Sequence, residues 1–164
     1  MTLEQVNLLP QAKFVEELGA IYEHSPWIAE QAWKKRPFAS VAELHAAMAA
    51  VMESAPREAQ LALLLAHPEL GSRAPMSPAS EAEQARLFGE RGPPLPEELQ
   101  RYREKFGFPF IYAVRGALTP QDIRFALWIR IEETPAEEFR QALSEVRSIA
   151  WFRLQDKFQE ATSA

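Results

Sequence analysis

A histidine closes the apolar run LALLLAH, and Pro68 directly after His67 prevents a helix from continuing. An imidazole at that end of a helix has two uses. It can complement the helix dipole as a satisfied core residue, or it can move protons near neutral pH. Sixteen residues further on stands Glu83. A carboxylate bonded to one ring nitrogen would fix the tautomer and leave the other nitrogen for acid–base work. Ser80, Glu83, Gln84 and Leu87 are spaced three, one and three apart, so a helix carries them on one face. If Leu87 points inward, a hydroxyl, a carboxylate and an amide point inward with it, a set of hydrogen-bonding groups suited to a polar ring. If the helix lies on the surface, the same face is simply solvated. A third polar intrusion lies near the end of the chain, where Phe139, Leu143, Val146 and Ala150 step by four, three and four and the next step of three reaches Arg153. At 100° per residue Arg153 lies only about 20° from Val146 around the helix, on the stripe that should be buried. A guanidinium there requires an anion. That anion is either a planar ligand oxygen or a structural glutamate; otherwise the side chain snorkels outward.

The elements that would position these groups are marked mainly by proline. Pro10, Pro26, Pro56, Pro78, Pro96, Pro120 and Pro135 each open a segment with helical apolar spacing, where the ring presets φ and the absent N–H costs nothing. Ser40 with Glu43 forms a capping box ahead of Leu44, Met48 and Val51, and Thr134 with Glu137 forms another ahead of a segment running to about Phe158. Gly107 follows PEELQRYREKF as its C-terminal stop. Eight such segments use up the chain. The one strand-like stretch, FPFIYAVRG from Phe108 to Gly116, has no second candidate to pair with and reads as an extended connector. The expected architecture is a single compact all-α domain over residues 1–164, about eight helices with one extended connector. Its longest irregular stretch, Pro68 to Ser77, is the natural place for a site.

Composition narrows the chemistry. The 164 residues contain no cysteine, which excludes a thiolate nucleophile, a disulfide scaffold and a cysteine-ligated metal. With 18 Lys+Arg against 23 Asp+Glu, the net charge of −5 offers no basic face for nucleic acid. No segment approaches the ~18–20 uninterrupted apolar residues of a membrane span. The start, MTLEQVNLLPQ, does not read as a signal peptide. Together these point to a cytoplasmic protein with a small-molecule or protein partner. There is no phosphate loop, nucleophile elbow or dinucleotide fingerprint, and His24 and His45 show no metal-ligand spacing with any acid. No metal site is expected, and His24 reads as structural. An enzyme built from this chain would be cofactor-free and would rely on His, Glu and Arg.

In order along the chain, FVEELGAIYEHSPWIAEQAW, RPFASVAELHAAM, LLLAHPELG, SEAEQ, FGFPFIYAVRG and IAWFRL form a specific set. In them the sequence resembles the 2-oxo-4-hydroxy-4-carboxy-5-ureidoimidazoline (OHCU) decarboxylases of urate degradation, from about Phe14 to Arg153. The resemblance implies an all-helical, cofactor-independent enzyme that converts OHCU to (S)-allantoin and carbon dioxide, with a homodimer as the expected assembly. It carries catalytic residues onto His67 and Glu83. Substrate contacts fall on Pro68, Ser80, Gln84, Arg153 and the backbone of Phe110, Ile111, Tyr112 and Ala113. The loop between His67 and Ser80 is shorter than is usual in the family. Two rivals remain at this point. One is a helical interaction module in which Trp27, Trp33, Trp128 and Trp151 are core or docking aromatics and His67 merely caps its helix. The other is a related ureide hydrolase, which would need an activated water.

Overall fold

Proline and short polar caps set the helix starts where the spacing places them. The computed structural model describes residues 1–69, 78–80, 82–83, 96–116 and 119–159. In chain order the helices are α1 (Leu3–Leu8), α2 (Gln11–Leu18), α3 (Trp27–Trp33), α4 (Val41–Ser54), α5 (Arg57–Ala66), α6 (Pro96–Phe106), α7 (Pro120–Arg130) and α8 (Pro135–Gln159). Helical residues also occur at 78–80 and 82–83. Between α6 and α7 residues 109–113 have no regular secondary structure, and the chain then makes a 3₁₀ turn, Val114–Gly116. No strand occurs among the described residues, so the fold is all-α and the strand-like stretch is a connector.

The caps show why these boundaries hold. Ser40 Oγ accepts the Glu43 N–H at 3.1 Å, while Glu43 Oε2 accepts from Ala39 N, one residue before the cap, at 2.8 Å. Thr134 Oγ1 accepts the Glu137 N–H at 3.2 Å. Two starts differ in detail from the sequence pattern: Pro10 and Pro26 occupy the cap position itself rather than the first turn. Helix α1 was not expected, because its six residues are too few to show a period. Its marker is a capping box between Thr2 and Gln5. Helix α2 also ends sooner than its apolar spacing suggests. The chain turns after Leu18, yet Ile21 and Tyr22 remain buried by packing from a turn.

The chain divides into two compact units. The first contains residues 1–63 and 149–164, with Phe14, Leu18, Tyr22, Leu44, Met48 and Leu154 fully buried. Its N-terminal helices are pinned by polar contacts as well. Asn7 pairs with the backbone of Phe38 in both directions (2.9 and 2.8 Å), and Trp33 and Arg36 both donate to Leu9 C=O at 2.8 Å. The Arg36–Pro37 peptide bond is cis. The second unit, residues 64–148, is built on Tyr102, Phe110, Leu127, Phe139 and Val146. Its aromatic side chains meet edge to face: Tyr102 with Phe110 at 5.2 Å between centroids, and Phe108 with Phe139 at 5.9 Å.

Gly107 ends α6 with φ of +81°, and nothing lies within 4 Å of the position a Cβ would take. Its requirement is therefore conformational and not steric. Gly107→Ala should destabilise the protein by about 1 kcal/mol in urea denaturation without repacking its surroundings.

Candidate active site

His67 follows the last turn of α5, its backbone N–H bonded to Leu64 C=O at 3.2 Å, and it is buried with 6% of its surface exposed. Ser80 is also buried, whereas Pro68 and Glu83 are half-buried. Ser80 and Glu83 are both helical, as their spacing requires. These four residues and the connector Phe110–Ala113 belong to the second unit; Arg153 belongs to the first. Gln84 and most of the Pro68–Ser77 stretch lie outside the described residues.

The connector is held by a buried ionic network that the sequence reading did not pick out. Glu138, fully buried on the first turns of α8, accepts from Arg130 Nε at 2.6 Å and pairs with Arg130 NH2 at 2.5 Å. The same Glu138 oxygen accepts from the Tyr102 hydroxyl. Arg130 NH1 in turn donates to Ile111 C=O at 2.6 Å, and the guanidinium lies 4.4 Å from the centre of the Phe110 ring. Two residues along, the Ala113 N–H donates to Glu145 Oε2 at 3.1 Å. Ile111 C=O and Ala113 N–H already serve the protein, and what they do is fix the shape of the segment between them. Burial pushes the Tyr102 phenol well above its usual range, and its bond to Glu138 pushes it further. Tyr112 is raised too, first by burial and then by the nearby carboxylates of Glu145 and Asp122. Both phenols are neutral at physiological pH.

Arg130 could have been found by the arithmetic that found Arg153. Ile123, Leu127 and Arg130 step by four and three, and all three are buried on α7. Glu138 carries no such signal, because a glutamate in the first turn of a helix ordinarily faces water. For Arg153 the structure settles which protein group meets it. Its guanidinium is buried, pairs with the fully buried Glu23 at 3.1 Å and donates to Ile21 C=O at 3.3 Å, so it does not snorkel outward. His24 stands next to Glu23 with φ of +47°, a left-handed conformation that histidine tolerates better than most residues. That turn sends Glu23 inward and leaves the His24 side chain 65% exposed.

No group of three metal-ligating side chains gathers among the described residues. A hollow of about 830 Å³ in the first unit is lined by Trp27, Lys34, Phe38, Val51 and Pro56 among others, and contains none of the candidate residues. Of the four tryptophans, Trp33 is tied to Leu9 and Trp151 lies 5.1 Å from the His45 ring, so these two serve packing. Trp128 is exposed.

An all-helical chain with a buried histidine at a helix end and a backbone connector clamped by arginine is the framework on which the comparisons with known proteins fall. A family model described as OHCU decarboxylase matches residues 7–155. The chain is 48% identical over 163 residues to the 2-oxo-4-hydroxy-4-carboxy-5-ureidoimidazoline decarboxylase of Haloferax volcanii, covering 96% of each. It is 40% identical to the protein of the same name from Halalkalicoccus jeotgali, covering 95% of this chain and 91% of the relative. Among solved structures, a crystal structure of (S)-allantoin synthase superposes with a TM-score of 0.74 at 35% identity. That match takes in 96% of this chain but 54% of the other. The chain belongs to the OHCU decarboxylase family.

The raised Tyr102 phenol gives the network a pH signature. The unfolded phenol ionises near 10 while the folded one stays protonated, so its contribution is complete below pH ~10 and is lost as pH climbs toward the folded value. Tyr102→Phe should cost about 1–2 kcal/mol at pH 7, because Glu138 loses a donor. The variant should also lack the part of the alkaline stability loss that the wild type shows above pH ~10, read from urea midpoints at several pH values.

Proposed function

We propose that this chain decarboxylates 2-oxo-4-hydroxy-4-carboxy-5-ureidoimidazoline to (S)-allantoin without a cofactor, using His67 to manage the proton. The observation that carries the reading is the family match across residues 7–155, within which His67 is a buried imidazole. Because that match runs through both compact units, residues 1–164 are taken to work as one domain. The working protein is taken to be a cytoplasmic homodimer.

In the reaction, the bond between the ring carbon and the carboxylate breaks and carbon dioxide departs. The electron pair left on that carbon delocalises into the C=N and C=O system of the heterocycle, so the substrate is its own electron sink. One proton must then reach one face of the neighbouring, ureido-bearing carbon to give a single enantiomer, while the hydroxyl on the decarboxylated carbon gives up its proton and becomes a carbonyl. His67 supplies or relays that proton, and Glu83 acts through it by fixing the ring tautomer. Ser80 and Gln84 take the amide edges of the ring, with Pro68 as an apolar wall beside them. Phe110, Ile111, Tyr112 and Ala113 contribute a backbone edge whose shape Arg130 and Glu145 fix in advance. Arg153, already oriented by Glu23 and Ile21 C=O, presents its planar fork to a substrate oxygen.

Freshly generated OHCU should be converted by the wild type to optically pure (S)-allantoin, followed by circular dichroism; a racemate formed at the uncatalysed rate would refute the assignment. His67→Asn should lower kcat at least about a hundredfold while its far-UV spectrum stays native, the loss expected when a positioned proton carrier is removed. Arg153→Lys keeps the charge beside Glu23 but loses the fork. It should raise KM more than it lowers kcat, whereas an unchanged KM would remove Arg153 from the substrate's surroundings.

A further inference from the structure

Helices α3 and α4 pack against each other, and the hollow of about 830 Å³ in the first unit runs between them. Its size falls within the roughly 300–1,000 Å³ of small-molecule sites. Trp27, Gln31 and Lys34 step by four and three along one face of α3 and its C-cap. On α4, Ala47, Ala50 and Ser54 step by three and four. Small side chains on that stripe leave the space between the helices unfilled. The α4 wall extends from Glu43 to Ser54, about 16 Å at the rise of an α-helix.

The two ends of the hollow differ in chemistry. Trp27, Val51, Ala55 and Pro56 make one end apolar. At the other, beside the link from α3 to α4, stand Lys34 and Lys35, both exposed and neither in an ion pair among the described residues. Lys34 Nζ donates to the neutral Gln31 Oε1 at 3.0 Å. Glu43 lines the same end, but its carboxylate serves the backbone, where Oε2 accepts from Ala39 N at 2.8 Å. The N-terminus of α4, a helix of 14 residues, adds its partial positive charge there. In a chain of net charge −5 this end runs against the general trend and is locally cationic.

We propose that the hollow binds a small anionic amphiphile, with a carboxylate head at Lys34 and Lys35 and an unbranched apolar tail lying over Ala47 and Val51 toward Trp27. Charge complementarity places the head, because two unpaired cations beside a helix N-terminus favour an anion. The apolar end places the tail, since burying hydrocarbon there removes two apolar surfaces from water at once. Lysine recognises a charge and not a planar outline, so the head needs no fixed geometry. Two cations are too few to follow a nucleic-acid backbone. A net charge of −5 is repelled by an anionic bilayer, so the ligand is a free amphiphile and not a lipid within a membrane.

The test is isothermal titration of the full chain with dodecanoate below its micelle concentration, its extended tail being close to the length of the hollow. One molecule should bind per chain, saturably. Decanoate, two methylenes shorter, should bind about tenfold more weakly, and the uncharged dodecanol at least about tenfold more weakly. The double variant Lys34→Glu/Lys35→Glu should lose at least about tenfold in dodecanoate affinity and keep its affinity for dodecanol. Ala50→Phe, at an exposed position of α4, should fill the hollow and abolish binding of both. Added salt should weaken dodecanoate and not dodecanol in the unaltered protein, which carries the test if a variant fails to fold. No saturable binding of dodecanoate would overturn the proposal, as would equal affinities for dodecanoate and dodecanol. Binding that survives Ala50→Phe in a folded variant would overturn the location. Sedimentation with phosphatidylserine vesicles in place of binding to the free acid would overturn the ligand class.

Discussion

The second unit depends on one guanidinium. Arg130 is buried beneath the connector, and a charge there is tolerable only because Glu138 meets it at 2.5–2.6 Å. Removing either partner from such a pair commonly costs about 3–5 kcal/mol, since the other is left buried and uncompensated. The pair is not placed for stability alone, because apolar residues of similar volume can often do that as well. What apolar residues could not do is donate to Ile111 C=O. A peptide segment without regular secondary structure must satisfy its backbone groups individually. Arg130 and Glu145 do so for one carbonyl and one N–H on the connector. Rigidity is thereby built into a stretch that helix or sheet hydrogen bonding does not stabilise.

The helices were legible because their signals are local. A proline or a Ser/Thr–Glu box states where a helix begins, and each such start reappears within a residue of its expected place among the described helices. Gly107 likewise stops α6 with a positive φ. What was missed follows the same logic from the other side: α1 is too short to show a period, and the early end of α2 is decided by tertiary packing around Ile21 and Tyr22. For the site, the polar residue on an apolar stripe proved a dependable sign of burial. It located Arg153, and the same count along α7 leads to Arg130. It could not say what would meet either cation. Glu23 sits in a turn and Glu138 in a first helical turn, and neither position distinguishes a buried carboxylate from a solvated one. His67 lay in the most readable place of all, at the junction of an apolar helix and a proline.

Family membership resolves the choice between chemistry and mere docking. His67, Ser80 and the clamped connector are the buried or restrained polar features of the second unit. The aromatic groups of α7 are its exposed apolar ones. Of the tryptophans that the rival reading made a docking set, Trp33 and Trp151 are engaged in packing and Trp128 is exposed. A surface of this kind can serve an enzyme without belonging to its reaction.

The pairing of Arg153 with Glu23 has a consequence for which anions the protein ignores. A bare arginine in a cleft attracts any passing chloride, phosphate or carboxylate through its long-range field. One already neutralised by a neighbour exerts almost no pull beyond its own donors. In the proposed substrate contact, recognition would then be left to shape at close range, where a flat, correctly angled oxygen pair could engage and a spherical ion could not. In a cell crowded with small anions, such a muted cation would pass most of them by and answer only to a partner of the proposed shape.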